Sequence, residues 1–249
     1  MATDDLIDQM QSSLERYRNL RQHQADQQTF LTYLQQLQKW QLDRLLWSHR
    51  NLLAQPKYQS AAYFVLNDVY SGINLSELAH DMVRIVPKAG RVLPDRALNT
   101  AVHALELNTL TAELDGRLVE YLFYTLKVQH IDPKTYVKGL AVTASQTERQ
   151  RQIELANLLG QGIDQYIASR MVYMAFKLAK KPIQSAGFGQ IYEFIDKGFG
   201  VLKPLGSASN FLNKITQLET QIVTAIYNNQ PDPYGIETHW QQFGQFPAR

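Results

Sequence analysis

Acidic and histidine side chains at helical spacing are the first candidates for chemistry in this sequence. Glu77 and His80 are three residues apart, and His103 and Glu106 have the same spacing in reverse order. Residues three apart share one face of a helix, and carboxylate-bridged di-iron bundles combine Glu-x-x-His pairs of this kind with further acids. The candidate metal set is therefore Asp68, Glu77, His80, His103, Glu106 and Asp115.

A structural role for the same residues is the stronger alternative, because the second Glu-x-x-His pair is absent. In that alternative Glu77 caps its helix, His80 is a surface residue, and Glu106 and Asp115 make internal hydrogen bonds or ion pairs. No motif selects a haem ligand among the six histidines, and the chain has no cysteine and no Gly-x-Ser-x-Gly motif. We therefore predict no cofactor and no catalytic residue.

One unusually apolar stretch, Ala61 to Tyr70, contains an amide and a carboxylate. A helix that is apolar nearly all round belongs in a core, where polar groups need partners. We predict that this stretch forms the organising helix of the core and that Asp68 anchors it to a neighbouring helix. The candidates for buried structural polar groups are Asn67, Asp68, Glu106 and Asp115.

A basic segment near the C-terminal third of the chain is a candidate for contact with an anionic surface. Its lysines lie near Phe188, Tyr192 and Phe199, and they are Lys177, Lys180, Lys181, Lys197 and Lys203. Basic residues with exposed aromatics could meet an anionic lipid surface or nucleic acid. The alternative is a solvated face over a core, because Glu193 and Asp196 lie in the same segment.

Helices must position all these residues, since apolar side chains recur every three or four positions and no alternating strand pattern occurs. The pattern predicts an all-α, multi-helix bundle of about eight to ten helices with a long N-terminal helix. We predict a single helical domain over residues 1–228, followed by an extended tail over 229–249. Within the domain, residues 1–55 form a long helix or helical pair and 56–228 the helical core.

Local signals place several helix boundaries. Gln55-Pro56-Lys57 ends the N-terminal helix, and the stretch from Ala61 begins a new one. Asp132-Pro133 starts another helix, and Ser145 with Glu148 resembles a capping box. We expect the polar run from Gln146 to Gln152 to be a solvated excursion. From Ile153 the apolar period continues through Met171, Met174 and Leu178 to Lys180-Lys181-Pro182, which predicts one continuous helix, and Ser207 or Ser209 caps a final helix.

Composition limits the function classes. The 249 residues carry a net charge of +2, which gives no global reason to expect binding to nucleic acid or to an acidic membrane. The acidic N-terminus lacks the apolar region of a signal peptide, and no stretch approaches the length of apolar residues that spans a bilayer. We therefore predict a cytoplasmic protein without a transmembrane segment.

Three blocks, in this order, resemble an uncharacterised bacterial family named for its Phe-Phe-Leu-Glu-Glu (FFLEE) motif. They are Phe64–Tyr70; Leu93-Pro94 with Ala104–Leu107 and Glu113–Asp115; and Lys181-Pro182 with Ala186-Gly187, Phe194–Phe199, Phe211-Leu212 and Glu219. Val65 stands where the motif has an aromatic, and Asn67-Asp68 where it has its two acids. The resemblance implies membership of a family without an established activity and transfers no catalytic residues.

The sequence favours a non-enzymatic cytoplasmic helical binding or scaffold protein, whose partner is another protein or a second copy of itself. The support is the absence of a catalytic motif together with long amphipathic helices at both ends of the chain. Two alternatives stay open. One is a metal- or small-ligand-binding bundle resembling a di-iron oxidase, and the other is peripheral membrane contact through the lysine-rich segment.

Overall fold

A computed structural model describes residues 3–25, 28–65, 95–167, 169–185, 187 and 189–246. Within these residues the chain is helical without strands, and it has 12 α-helices, of which 10 have seven or more residues. The all-α prediction and the long N-terminal helix are therefore confirmed. The helices are α1 (Thr3–Ala25), α2 (Gln28–Ser48), α3 (Arg50–Leu53), α4 (Pro56–Tyr63), α5 (Asp95–Val119), α6 (Pro133–Thr143), α7 (Gln146–Ile167), α8 (Arg170–Leu178), α9 (Lys180–Ser185), α10 (Gly189–Leu202), α11 (Ala208–Tyr227) and α12 (Glu237–Phe243). A π-helical turn, Glu120–Thr125, extends α5, and a 3₁₀ turn, Lys203–Leu205, follows α10.

Helix α5 lies at the centre of the described part of the chain. It packs against α1, α2, α6 and α7, and its residues Leu98, Leu114 and Leu118 are fully buried. The stretch predicted to organise the core is described only up to Val65, where Ala61 and Ala62 are buried against α11. Asn67 and Asp68 lie outside the described residues.

The apolar stripes of the first two helices are used inside the protein. Leu6, Met10 and Leu14 of α1 pack against α5, and Leu34 and Leu37 of α2 pack in a second cluster with the π-helical turn, α6 and α11. Burial of one apolar face is the main source of stability for helices of this kind. The apolar surface of α1 and α2 is therefore not a free surface for a partner.

Capping signals fixed two helix starts as predicted, while a third helix starts earlier than predicted. The predicted break at Gln55-Pro56-Lys57 is itself the start of α4, because Pro56 is in the first turn of that helix. The Asp132 carboxylate accepts a hydrogen bond of 3.0 Å from the backbone N–H of Thr135, with Pro133 as the first residue of α6. Ser145 and Glu148 form a reciprocal capping box, in which the Ser145 N–H donates to Glu148 at 2.8 Å and the Glu148 N–H donates to Ser145 at 3.2 Å.

Two predicted features of the segment from Gln146 to Leu178 are wrong. The run from Gln146 to Gln152 is not a solvated excursion but the first two turns of α7, because the capping box starts the helix there. The continuous helix divides as well: α7 ends at Ile167, and Ser169 starts α8 by accepting a hydrogen bond of 3.2 Å from the Val172 N–H. The apolar period from Ile153 to Leu178 therefore runs across two separate helices, with the extended residue Ser169 before the second.

The predicted extended tail is also wrong. Residues after Asn228 turn back onto the bundle and form α12, and Tyr234 and Ile236 are buried. The Asp232 carboxylate accepts hydrogen bonds from the N–H groups of Ile236 and Glu237, at 2.9 and 3.0 Å, and so starts α12. None of the described helices combines the length and the apolar character that crossing a bilayer requires.

Candidate functional site

The described members of the candidate metal set all lie on α5, but they face different partners. Arg151 binds Glu106 through two hydrogen bonds of 2.9 Å, while Asp115 accepts a hydrogen bond of 2.9 Å from Gln41. Nine residues separate the two acids, which is about 14 Å along a helix axis. No three His, Asp or Glu residues of the described part lie together as metal ligands would, and Asp68, Glu77 and His80 fall outside it.

The ionisation of the α5 residues reflects burial. Desolvation raises the pKa of Asp115, although the hydrogen bond from Gln41 and the charge of Arg149 act in the opposite direction. Burial likewise lowers the pKa of His103, against the effect of nearby Glu106. Asp115 is buried, whereas Glu106 is partly exposed in its pair with Arg151. Of these two candidates for buried polar groups, only Asp115 is buried.

A buried ion cluster, which the sequence did not indicate, connects α2 to α11. Arg44 donates to both carboxylate oxygens of Glu219, at 2.6 and 2.7 Å, and His49 Nε2 lies 2.9 Å from the same carboxylate. Burial alone would raise the pKa of Glu219, but the charge of Arg44 and the hydrogen bond with His49 outweigh it and lower the pKa to about 2. We call Arg44, His49 and Glu219 the Glu219 cluster.

The Glu219 cluster is largely buried. The side chains of Arg44, His49 and Glu219 are 9%, 5% and 16% exposed, and the Arg44 guanidinium lies 5.4 Å from the ring centre of Tyr234. A dissolved substrate has no access to charges covered in this way, so the arrangement serves as an internal tie between helices. The trace of this cluster in the sequence is that Gln41 and Arg44 interrupt the apolar stripe of α2. The sequence does not show which residues they contact.

The exposed apolar face of α8 is the strongest surface feature of the described residues. Met171, Met174 and Leu178 lie on one side of the helix and are 82%, 52% and 77% exposed. The opposite side carries Tyr173 and Phe176, which pack against α10. The apolar period that continues through Met171, Met174 and Leu178 therefore ends on an exposed helix side. We call these three residues the α8 outer face.

The lysines around this face are exposed, whereas Tyr192 is buried and Phe199 partly buried among the aromatic residues predicted to accompany them. Tyr192 is buried and stacks on Phe176 with 4.4 Å between the ring centres, because it belongs to the inner side of α10. Phe188 lies outside the described residues. Lys177 pairs with Asp196 at 2.5 Å, and Lys203 lies 4.0 Å from the centre of a tyrosine ring. Lys180, Lys181 and Lys197 complete the exposed basic set.

Comparison with known proteins gives one family match. The model named Domain of unknown function (DUF8198) matches residues 19–233, which is most of the chain. No curated protein and no solved structure matches the chain. The match agrees with the predicted membership of an uncharacterised family, while the FFLEE motif and the bacterial origin remain predictions.

Proposed function

Since the chain belongs to the family Domain of unknown function (DUF8198), its function has to be inferred from its own residues, and we propose that it is a non-enzymatic helical binding protein that docks on an anionic membrane surface through the α8 outer face. The observation that carries this proposal is the exposure of three large apolar side chains on one helix. They are Met171, Met174 and Leu178, and each is more than half exposed.

The free energy available from covering this face is considerable. Burying one large apolar side chain contributes about 1.5–3 kcal/mol, so three residues on one side of a helix supply a binding surface. Exposed apolar residues that are scattered singly are ordinary, whereas a contiguous apolar patch indicates an interaction site. Val142, which is 60% exposed on α6, is an example of such an isolated residue.

Charge favours a lipid surface over a protein partner. Between residues 170 and 203 the chain has six basic residues and only two acidic ones, although its total net charge is +2. The basic residues are Arg170, Lys177, Lys180, Lys181, Lys197 and Lys203. A helix with one apolar face and flanking lysines lies in the bilayer interface, and each basic residue near anionic lipids contributes about 1 kcal/mol. The predicted cytoplasmic location agrees with this choice, because anionic lipids give the cytoplasmic leaflet its negative surface potential.

The long helices at the N-terminus, which first suggested a protein partner, give less support. The apolar faces of α1 and α2 already pack against α5 and the neighbouring helices. A scaffold role through these helices would require a second apolar face. A second copy of the chain or another protein could also cover the α8 outer face. We treat this case as an alternative outcome of the experiment on α8 and do not propose it.

Vesicle sedimentation tests the proposal. We expect the protein to sediment with vesicles that contain phosphatidylserine, less so at higher salt, and not with vesicles of phosphatidylcholine alone. Met171→Glu with Leu178→Glu should weaken binding about tenfold or more, since two charges replace the apolar anchors. Val142→Glu is the matched control, because it places the same charge at an exposed apolar position on α6.

Three results would overturn the proposal. One is wild-type protein that stays in the supernatant while vesicles of every composition sediment. Another is a Val142→Glu variant whose vesicle binding is weakened as much as that of the α8 double variant. A third is a concentration-dependent dimer, measured by analytical ultracentrifugation, that the α8 variant dissociates while vesicle binding is absent. In that case the α8 outer face is a contact between copies of this chain.

A further inference from the structure

A polar groove lies between α4 and the first half of α11, away from the Glu219 cluster. Its volume is about 390 Å³. The residues that line it are Lys57, Tyr58, Leu205, Ser207, Asn210, Phe211, Asn213, Lys214 and Gln217. The lining therefore contains two cations, no acid, three amides and two aromatic rings.

The two lysines converge on Tyr58. The ammonium groups of Lys57 and Lys214 lie 5.5 and 5.9 Å from the centre of the Tyr58 ring. Among the described residues, neither ammonium group lies within ion-pair distance of a carboxylate. Two like charges directed at one ring repel each other, and an anion held between them would remove that repulsion.

The floor and one wall of the groove are held by the fold. Tyr58 stacks on Phe211, with 5.7 Å between the ring centres, and Phe211 is fully buried. Asn210, Asn213 and Gln217 are spaced by three and four residues, so they lie along one side of α11 and line the groove with exposed side-chain amides. The Tyr58 ring is thus held by the fold before a ligand arrives, and the amides are carried by a helix beside it.

The start of α11 does not itself supply the anion site. Asp164 of α7 accepts hydrogen bonds from the Ser207 hydroxyl at 2.8 Å and the Ser209 N–H at 3.2 Å, and also from the Ala208 N–H. A carboxylate therefore already occupies the N–H groups at this helix end. A ligand in the groove would be held by the lysine and amide side chains, further along α11.

We propose that this groove binds a small phosphate-bearing anion, independently of the membrane contact through α8. A phosphate offers several acceptor oxygens to two ammonium groups and three amides, which is more than a single carboxylate supplies. Lysine is an established phosphate-binding side chain that acts as a point charge. A groove of about 390 Å³ is within the size of small-molecule sites.

Isothermal titration calorimetry with inorganic pyrophosphate as the probe tests this site, with sodium chloride added to hold the ionic strength constant. Lys57→Gln with Lys214→Gln should weaken binding about tenfold or more, because both groove cations are lost. The matched control is Lys127→Gln with Lys138→Gln, which removes two exposed lysines outside the groove. We expect this control to bind pyrophosphate as the wild type does.

Several results would overturn the proposal, provided that thermal unfolding shows every variant to be folded. One is wild-type protein that does not bind pyrophosphate. Another is an equal loss of binding in the groove variant and the control, which would mean that pyrophosphate binds exposed charge without a site. Malonate that binds as tightly as pyrophosphate would show that phosphate is the wrong class of ligand. Retention of binding by Lys57→Arg with Lys214→Arg would support the groove as a charged site.

Discussion

At the scale of single residues, the Glu219 carboxylate has the most demanding environment described. It is largely buried and is balanced by Arg44 and His49, which approach it from α2 and from the turn after it. Removing one partner of a buried pair is costly because the other charge stays behind without compensation. The Glu219 cluster therefore holds α2 and α11 together only while all its members are present.

Glu219→Gln should lower the free energy of unfolding by about 3–5 kcal/mol, since it leaves the Arg44 charge buried and unpaired. Urea unfolding at neutral pH measures this change. Glu113→Gln is the control, because it breaks the ion pair between Arg16 and Glu113 at 2.7 Å on the surface. An exposed pair of that kind contributes at most about 1 kcal/mol. Equal effects of the two substitutions would contradict the structural role of the cluster.

The contribution of Glu219 should also depend on pH in a defined direction. Its folded-state pKa is lowered to about 2, while an unfolded glutamate has a pKa of about 4.3. The stabilisation is therefore complete above the unfolded value and is lost as the pH falls towards the folded one. The stability difference between the wild type and Glu219→Gln should be largest at neutral pH. It should shrink as the pH falls from about 4.3 to about 2. A constant difference would show that ionisation of Glu219 is not its source.

At the scale of helices, close contact between α7 and α11 depends on a glycine. A Cβ atom added at Gly160 would lie 2.9 Å from Leu212 Cδ1 and 3.1 Å from the backbone Cα of Ser209. The second distance involves backbone, which cannot move aside without shifting α11. Gly160 therefore sets the distance between the two helices that carry Asp164 and the groove.

Gly160→Ala should destabilise the protein by about 1–3 kcal/mol through overpacking at this contact. Gly200→Ala is the matched control, because Gly200 is also helical and a Cβ there meets nothing within 4 Å. The control should be neutral or stabilise by up to about 1 kcal/mol, as alanine is the better helix former. Thermal unfolding of both variants distinguishes the effects. A stabilising Gly160→Ala would mean that α7 and α11 pack less closely than described.

At the scale of the whole molecule, the described residues form three apolar clusters, two of which include α5 or its π-helical extension. The C-terminal segment completes the largest of them. Tyr234 and Ile236 are buried beside Trp40, and the Trp47 indole N–H donates to the Tyr234 carbonyl at 3.2 Å. The end of the described chain is therefore part of the core and covers the side of the Glu219 cluster that faces Tyr234.

Deleting residues 230–249 should lower the free energy of unfolding by at least about 3 kcal/mol, since each buried tyrosine or isoleucine contributes about 1.5–3 kcal/mol. The deletion should also expose Trp40, so intrinsic fluorescence should shift to longer wavelength. Phe243→Ala is a suitable comparison, because Phe243 is 55% exposed. It should change stability by less than about 1 kcal/mol. An unchanged unfolding midpoint after the deletion would show that the segment is not part of the core.

The sequence by itself determined the helical character and several helix starts. These features depend on residues three or four positions apart, so they can be recognised without knowledge of the fold. They are the apolar spacing, Asp132-Pro133 and the Ser145–Glu148 capping box. It also indicated that Asp115 needs an internal partner. The sequence did not identify that partner, because Gln41 is 74 positions away from Asp115.

Only the tertiary structure decided which apolar faces are buried. Leu6, Met10 and Leu14 are four residues apart, and Met171, Met174 and Leu178 are three and four apart. Both spacings are helical, yet the first set is buried and the second exposed. The period of a stripe reports that a helix has an apolar side, while burial depends on whether another element covers that side. Helix α5 covers α1, whereas Ser169 starts α8 as a separate helix and none of the described elements covers its outer face.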